Sequence, residues 1–113
     1  MNFLGYINEA SLNIGAGTYP DRSYSLRKSA KAVVLTKNNH ISLIKSHKYQ
    51  FHKLPGGGLE INELPEQAAL REIEEELGLK TIITNSLGIV IEQKEYKNEE
   101  NGQLQISYGY ISK

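Results

Sequence analysis

The stretch between Pro65 and Gly78 limits the fold more than any other, because it reads as one strong helix in a chain otherwise built of β-rich runs. Proline suits the first helical position, where its missing N–H costs nothing. Glycine suits the left-handed residue just past a helix end. Leu64, directly before, has no side-chain oxygen to cap the first turn, which is a local flaw in this assignment. Side chains three and four apart share a helix face. Glu72, Glu75 and Glu76 obey that spacing, with Ala68 one turn earlier on the same side. Ala69, Leu70, Ile73 and Leu77 fall on a different side and are expected to face the core.

Strands are expected before and after this helix. Ala30–Thr36 and Ile41–Ser46 are β-rich and are separated by the short polar segment Lys37–His40, which predicts a hairpin. Tyr49–Leu54 reads as another short strand, ending at Pro55 and the glycines Gly56, Gly57 and Gly58. Thr81–Glu95 holds further β-rich runs, and Leu104–Ile111 reads as a strand after a polar turn at Asn98–Gly102. Near the start, Phe3, Tyr6 and Ile7 suit an edge strand, followed by a loop punctuated by Gly15, Gly17 and Pro20. The result is a mixed α/β (α+β) fold in a single domain spanning 1–113.

Composition narrows the chemistry. A chain of 113 residues fits one domain. With no cysteine, disulfides and thiolate metal sites are excluded, so any metal is held by oxygen or by His40, His47 and His52, whose spacing is not that of a metal site. No apolar run approaches the roughly 20 residues that span a bilayer. Met1–Ala10 carries Glu9 and no basic residue, unlike a signal peptide, so a cytoplasmic protein is expected. The net charge of zero divides unevenly: residues 1–53 hold eight Lys/Arg against Glu9 and Asp21, and residues 54–113 hold eleven Glu against five Lys/Arg. Two halves at +6 and −6 can simply neutralise each other on packing. They can also build a site where basic groups and a carboxylate-bound cation share a polyanion. No dense basic stripe with interleaved aromatics is present, which disfavours a nucleic-acid polymer as partner.

Taken alone, the glutamates read as a solvated face, since an exposed like-charge pair costs only about 0.2–0.5 kcal/mol. Taken alone, the glycines read as a turn; no Gly-Lys-Ser/Thr follows them, so they are not a Walker phosphate loop. Glycine also permits positive φ and close backbone approach, which would let this loop lie against the helix. Hard cations such as Mg²⁺ prefer oxygen ligands and keep company with substrate phosphates.

Together the pieces resemble the Nudix hydrolase family (MutT-like), through its box G-x5-E-x7-R-E-U-x-E-E-x-G-U, where U is a bulky aliphatic residue. Gly57 opens it, Glu63 and Arg71-Glu72 follow at the required intervals, Ile73 and Leu79 are the aliphatic residues, Glu75-Glu76 the paired acids, and Gly78 the closing glycine. A chance match to every specified position is on the order of 10⁻⁹ per starting point at average residue frequencies. The resemblance implies an α/β/α sandwich around a mixed sheet, with a loop–helix–loop at 54–79 that holds the metal. It implies that Glu72, Glu75 and Glu76 are the metal-ligand glutamates, with Gly57 adding its carbonyl oxygen. Arg71 would orient the box carboxylates and reach Glu75, while Glu63 would support rather than ligate. Ile73 and Leu79 would be core residues.

The implied activity is a Mg²⁺-dependent (Mn²⁺ as the other candidate ion) pyrophosphatase that cleaves a nucleoside diphosphate linked to another moiety. Glu75 or Glu72 is the first choice of general base. Arg27 and Lys53 are the candidates for holding non-bridging phosphate oxygens, and Tyr24 or Tyr49 for stacking on a base. A nucleotide-sensing module of the same fold without catalysis is the alternative. Family members commonly continue into further sheet and a second long helix, and a downstream loop often supplies another acid; here Glu99 and Glu100 lie in a loop but early for that role, and Glu92 and Glu95 lie on or near a strand. A sandwich shortened after Lys113 is expected to expose a sheet face and favour a homodimer.

Overall fold

The computed structural model of the chain describes residues 2–8, 23–48, 50–95 and 101–113. The positions assigned above to Gly15, Gly17, Pro20, Tyr49, Glu99 and Glu100 lie outside these residues. In chain order the elements are β1 (Phe3–Asn8), β2 (Ser23–Leu35), β3 (Ile41–Ser42), β4 (Ile44–Ser46), β5 (Phe51–Lys53), β6 (Gly56–Gly58), α1 (Pro65–Leu77), β7 (Ile83–Glu95) and β8 (Asn101–Ser112). This is the expected mixed α+β arrangement. The main sheet has the order β1-β7-β8-β2-β3, with β6 also paired to β2, and β4-β5 form a separate two-stranded ribbon.

The sheet is mixed in direction. β8 runs antiparallel to β7 and parallel to β2, in a register that carries Arg27 opposite Gln105 and Ala32 opposite Tyr110. β1 adds parallel to the outer side of β7, so Phe3 and Tyr6 do lie on an edge strand. β2 and β3 make the expected hairpin across Lys37–His40, closed by the Thr36 N–H donating to the His40 carbonyl at 2.8 Å. Here the structure departs from the expected Ile41–Ser46 strand. The run breaks at Leu43, and its second half pairs instead with Phe51–Lys53. Likewise, Asn101 and Gly102 are already part of β8 rather than of a turn.

β-strand side chains alternate between faces, and the two faces of the central strands differ sharply. Ala30, Ala32 and Val34 of β2 and Tyr110 of β8 are buried together with Ala68, Ala69 and Ile73 of α1. Alanines on both partners let the helix approach the sheet closely, and Ile73 is the largest fully buried side chain in the layer. Ala68 is in this core although it shares a face with Glu72, so that side of the helix looks toward the sheet rather than into solvent. The alternate residues, Arg27, Ser29 and Lys31 on β2 with Gln105 and Ser107 on β8, make the opposite face polar. Among the described residues no helix covers that second face.

The helix ends as expected: Gly78 is left-handed at φ 68°, and its N–H donates to the Glu74 carbonyl at 2.9 Å. The start compensates for Leu64 in another way, with the Gln67 Oε1 accepting from the Leu64 N–H at 2.9 Å. Leu79 is a correction: it is 42% exposed, because the places against the core beside the helix end are filled by Leu77 and Ile83. Gly56–Gly58 is the other departure. The three glycines form a strand on Ser29–Lys31, and none has a positive φ. Their value is therefore close approach, since a Cβ on Gly56 would press to within 2.6 Å of Lys31 Cγ.

Because Ile73 is the largest fully buried side chain of the helix–sheet layer, Ile73→Ala is expected to cost about 2–5 kcal/mol. Urea unfolding of the two proteins measures the difference; a loss below about 1 kcal/mol would show that the layer is not the core.

Candidate active site

Arg71 stands on α1 with a guanidinium that has five N–H donors, and all five find protein acceptors. Nε and one terminal nitrogen grip the Glu63 carboxylate at 2.7 and 2.9 Å. Nη1 donates to Glu72 at 2.9 Å and to Glu75 at 3.2 Å. Nη2 also donates to the Gly58 carbonyl at 3.0 Å. A single planar cation thus ties the strand β6, the connection after it and two acids of the helix into one unit. Fork-to-carboxylate pairing of this kind fixes direction as well as charge.

The carboxylates follow from this frame. Glu63 accepts from the Glu60 N–H at 3.0 Å besides holding Arg71. The Arg71 hydrogen bond, helped by that backbone N–H, lowers its pKa to about 2, and reciprocally the Glu63 bond keeps Arg71 charged well above its usual range. Glu72 lies in the space a Gly57 side chain would take: a Cβ there would sit 2.7 Å from the Glu72 Cδ and closer still to its Oε1. Glu76 accepts from the Gly56 N–H at 2.9 Å and has the Lys53 ammonium 3.9 Å from its other oxygen. Glu75 is the most open of the three, with its side chain 56% exposed. Glu72 and Glu76 are 14% and 21% exposed, drawn in against the glycine strand yet reachable from its rim.

Such donors are all hard oxygens on one side of one helix, which suits a divalent cation of the Mg²⁺ type. Among the described residues no group of three acids or histidines converges as a metal-ligand cluster, and the helix carboxylates take their hydrogen bonds from Arg71 and the Gly56 N–H. The cradle that Gly57 leaves for Glu72 is the local feature that fits a metal-binding role for this edge of the helix. His40, His47 and His52 are exposed.

Beside the glycine strand lies a pocket of about 490 Å³ that brings Arg27, Lys31, Lys53 and Lys94 together with Glu92 and Gln105. Arg27 and Lys53, singled out from the sequence, both line it. Lys31, Lys94, Ser29 and Gln105 were not singled out. Polar residues two apart, at 27, 29 and 31 and again at 105 and 107, were the available signal, for they mark one face of each strand. Glu92 lies in this pocket, whereas Tyr24 sits on the sheet with its hydroxyl accepting from Gln93 at 2.6 Å.

Comparison with known proteins agrees with this geometry. The NUDIX domain profile matches residues 25–112. The 8-oxo-dGTP diphosphatase of Proteus vulgaris is 35% identical over 99 residues, a match covering 70% of this chain and 88% of that protein. The diphosphoinositol polyphosphate phosphohydrolase 3-alpha of Mus musculus is 29% identical over 82 residues, covering 72% of this chain and 50% of that protein. The chain therefore spans most of the bacterial relative and half of the mammalian one. Among solved structures, the MutT NUDIX hydrolase from Burkholderia pseudomallei superposes with a TM-score of 0.55 at 27% identity, covering 78% of this chain and 67% of that one.

Two outcomes follow from the Arg71 frame. Glu63 has a lowered pKa, so its contribution to stability is present above the ordinary carboxylate value near 4.5 and is lost as pH falls toward about 2. The melting temperature of Glu63→Gln should lie below that of the wild type at neutral pH and converge on it through that window; a gap that stays constant with pH would refute the linkage. Gly57→Ala should push the Glu72 carboxylate aside while sparing the helix, seen as near-native circular dichroism with weakened Mg²⁺ or Mn²⁺ binding by calorimetry.

Proposed function

The chain belongs to the NUDIX domain family, and on that premise we propose that it hydrolyses the pyrophosphate bond of a nucleoside diphosphate linked to another group. The supporting observation is the frame in which Arg71 holds Glu63, Glu72 and Glu75 beside a basic pocket. Glu72, Glu75 and Glu76, with the Gly57 carbonyl, are the groups that would hold Mg²⁺ or Mn²⁺. When bound, such an ion supplies Lewis-acid neutralisation of the diphosphate oxygens.

The remaining work falls to side chains. Glu75 is the most open of the three acids and is the first choice to take the proton from the attacking water, with Glu72 second. Arg71 is a positioning residue, because its five N–H groups are committed to protein acceptors and none is left for substrate. Lys53, bridging toward Glu76, and Arg27, across the glycine strand, would hold non-bridging oxygens of the phosphate chain, a role supported by their lining one pocket. The named activities of the relatives, on 8-oxo-dGTP and on diphosphoinositol polyphosphates, share the breaking of a phosphoanhydride. They make both groups of compounds part of the substrate panel.

The test is turnover of oxidised and normal dNTPs, ADP-ribose, dinucleoside polyphosphates, nucleotide sugars and diphosphoinositol polyphosphates with Mg²⁺ or Mn²⁺. Glu76→Gln should lower the rate at least roughly 10²-fold. A folded sample that turns over nothing on the panel, or a Glu76→Gln variant as fast as wild type, would sink the proposal.

A further inference from the structure

Gln105 is a buried amide, 4% exposed, in the middle of the polar sheet face. Its hydrogen-bonding capacity is used in full. The Nε2 group donates to the Ser29 and Ser107 hydroxyls, each at 3.2 Å, and these hydroxyls are themselves 3.0 Å apart. Its Oε1 accepts from Arg27 Nη1 at 3.2 Å and from Lys94 Nζ at 3.1 Å. Two cations from different strands therefore converge on one neutral oxygen. Like charges placed together repel, and a neutral acceptor orients them without cancelling either charge. Among the described residues, neither Arg27, Lys31 nor Lys94 is within salt-bridge distance of a carboxylate. Glu92 shares the pocket, leaving four cations against one acid.

Arg27 also connects this group to the candidate active site. A Cβ built on Gly58 would lie 3.7 Å from Arg27 Nη2, while the Gly58 carbonyl accepts from Arg71. The cations and the glutamate-bearing helix thus meet across one residue of β6.

We propose that Arg27 and Lys94, set by Gln105 and supplemented by Lys31, form a polyphosphate-binding subsite that works without a metal ion. Gln105 is a positioning residue in it, chosen over glutamate because a carboxylate would neutralise the two cations and could not donate to the serines. The inference rests on the pyrophosphatase proposal for the identity of its ligand. It deepens that proposal by assigning a substrate class: compounds whose phosphate chain extends past the scissile linkage, rather than diphosphates ending in a neutral group.

The experiment is calorimetric titration of the chain with inorganic tripolyphosphate in EDTA. Saturable binding is expected, weakened at least about tenfold by Arg27→Gln and by Gln105→Glu, and weakened by added salt. Gln105→Glu changes a buried group and could unfold the chain, so Arg27→Gln and Lys94→Gln carry the same test from the open side of the pocket. No saturable binding by folded wild type, or variants that bind as tightly as wild type, overturns the inference. Turnover on the nucleotide panel without metal-free tripolyphosphate binding would remove the subsite and leave the hydrolase proposal standing. Metal-free binding lost in Arg27→Gln, with no turnover on the panel, would keep the subsite and remove the hydrolase proposal.

Discussion

The guanidinium of Arg71 is the fixed point of this molecule. Its five hydrogen bonds reach two acids on its own helix, one acid in the preceding connection and a backbone carbonyl of the glycine strand. A half-buried cation is costly to leave unpaired, so each of these acceptors is held to the position that satisfies it. The negative charges nearby are tolerable for the same reason. Glu63 before the helix and Glu72 and Glu75 on it would repel one another, and one shared partner turns that repulsion into order.

The glycine strand depends on that fixed point and in turn defines the pocket. Had Gly56–Gly58 been a left-handed turn, the helix carboxylates would face a loop free to shift. Instead it is pinned to Ser29–Lys31 by strand pairing and to α1 by Arg71 and Glu76. The acids gather along the helix side of the strand, and the pocket with Arg27, Lys31, Lys53 and Lys94 opens beside it. Residues of the +6 and −6 halves meet at this three-residue strand, where Lys53 reaches Glu76 while Arg27 and Lys31 stand in the pocket away from the helix acids. Neutralisation between the halves is therefore incomplete where it matters chemically.

Much of this was legible in the residues themselves. Pro65 and Gly78 delimit the helix because both act through the local backbone, and Ile73 is buried because helical spacing places it with Ala69. The box spacing brought Glu63, Arg71 and Glu72 to notice, and the structure joins them directly. What escaped notice depends on pairing between distant segments. The only local mark of strand in Ser23–Ser29 is a polar alternation, and its meaning as one face of a sheet emerges once β8 lies alongside. Gln105 looks unremarkable between Leu104 and Ile106 until Arg27 and Lys94 converge on it. Leu79 was misplaced because an aliphatic residue at a box position says nothing about whether a neighbour stands over it.

The parallel register of β2 against β8 also sets an order of events in time. Arg27 and Gln105 are 78 positions apart, with the ribbon, the helix and β7 lying between them in the chain. Contacts of such long range are slow to form, since their loop-closure entropy precedes any reward. On the ribosome, Arg71, Glu63 and Glu72 emerge close together, whereas the cationic pocket has to wait for Gln105 on β8. A nascent chain would therefore present its acidic element first and acquire the matching basic wall only when β8 docks.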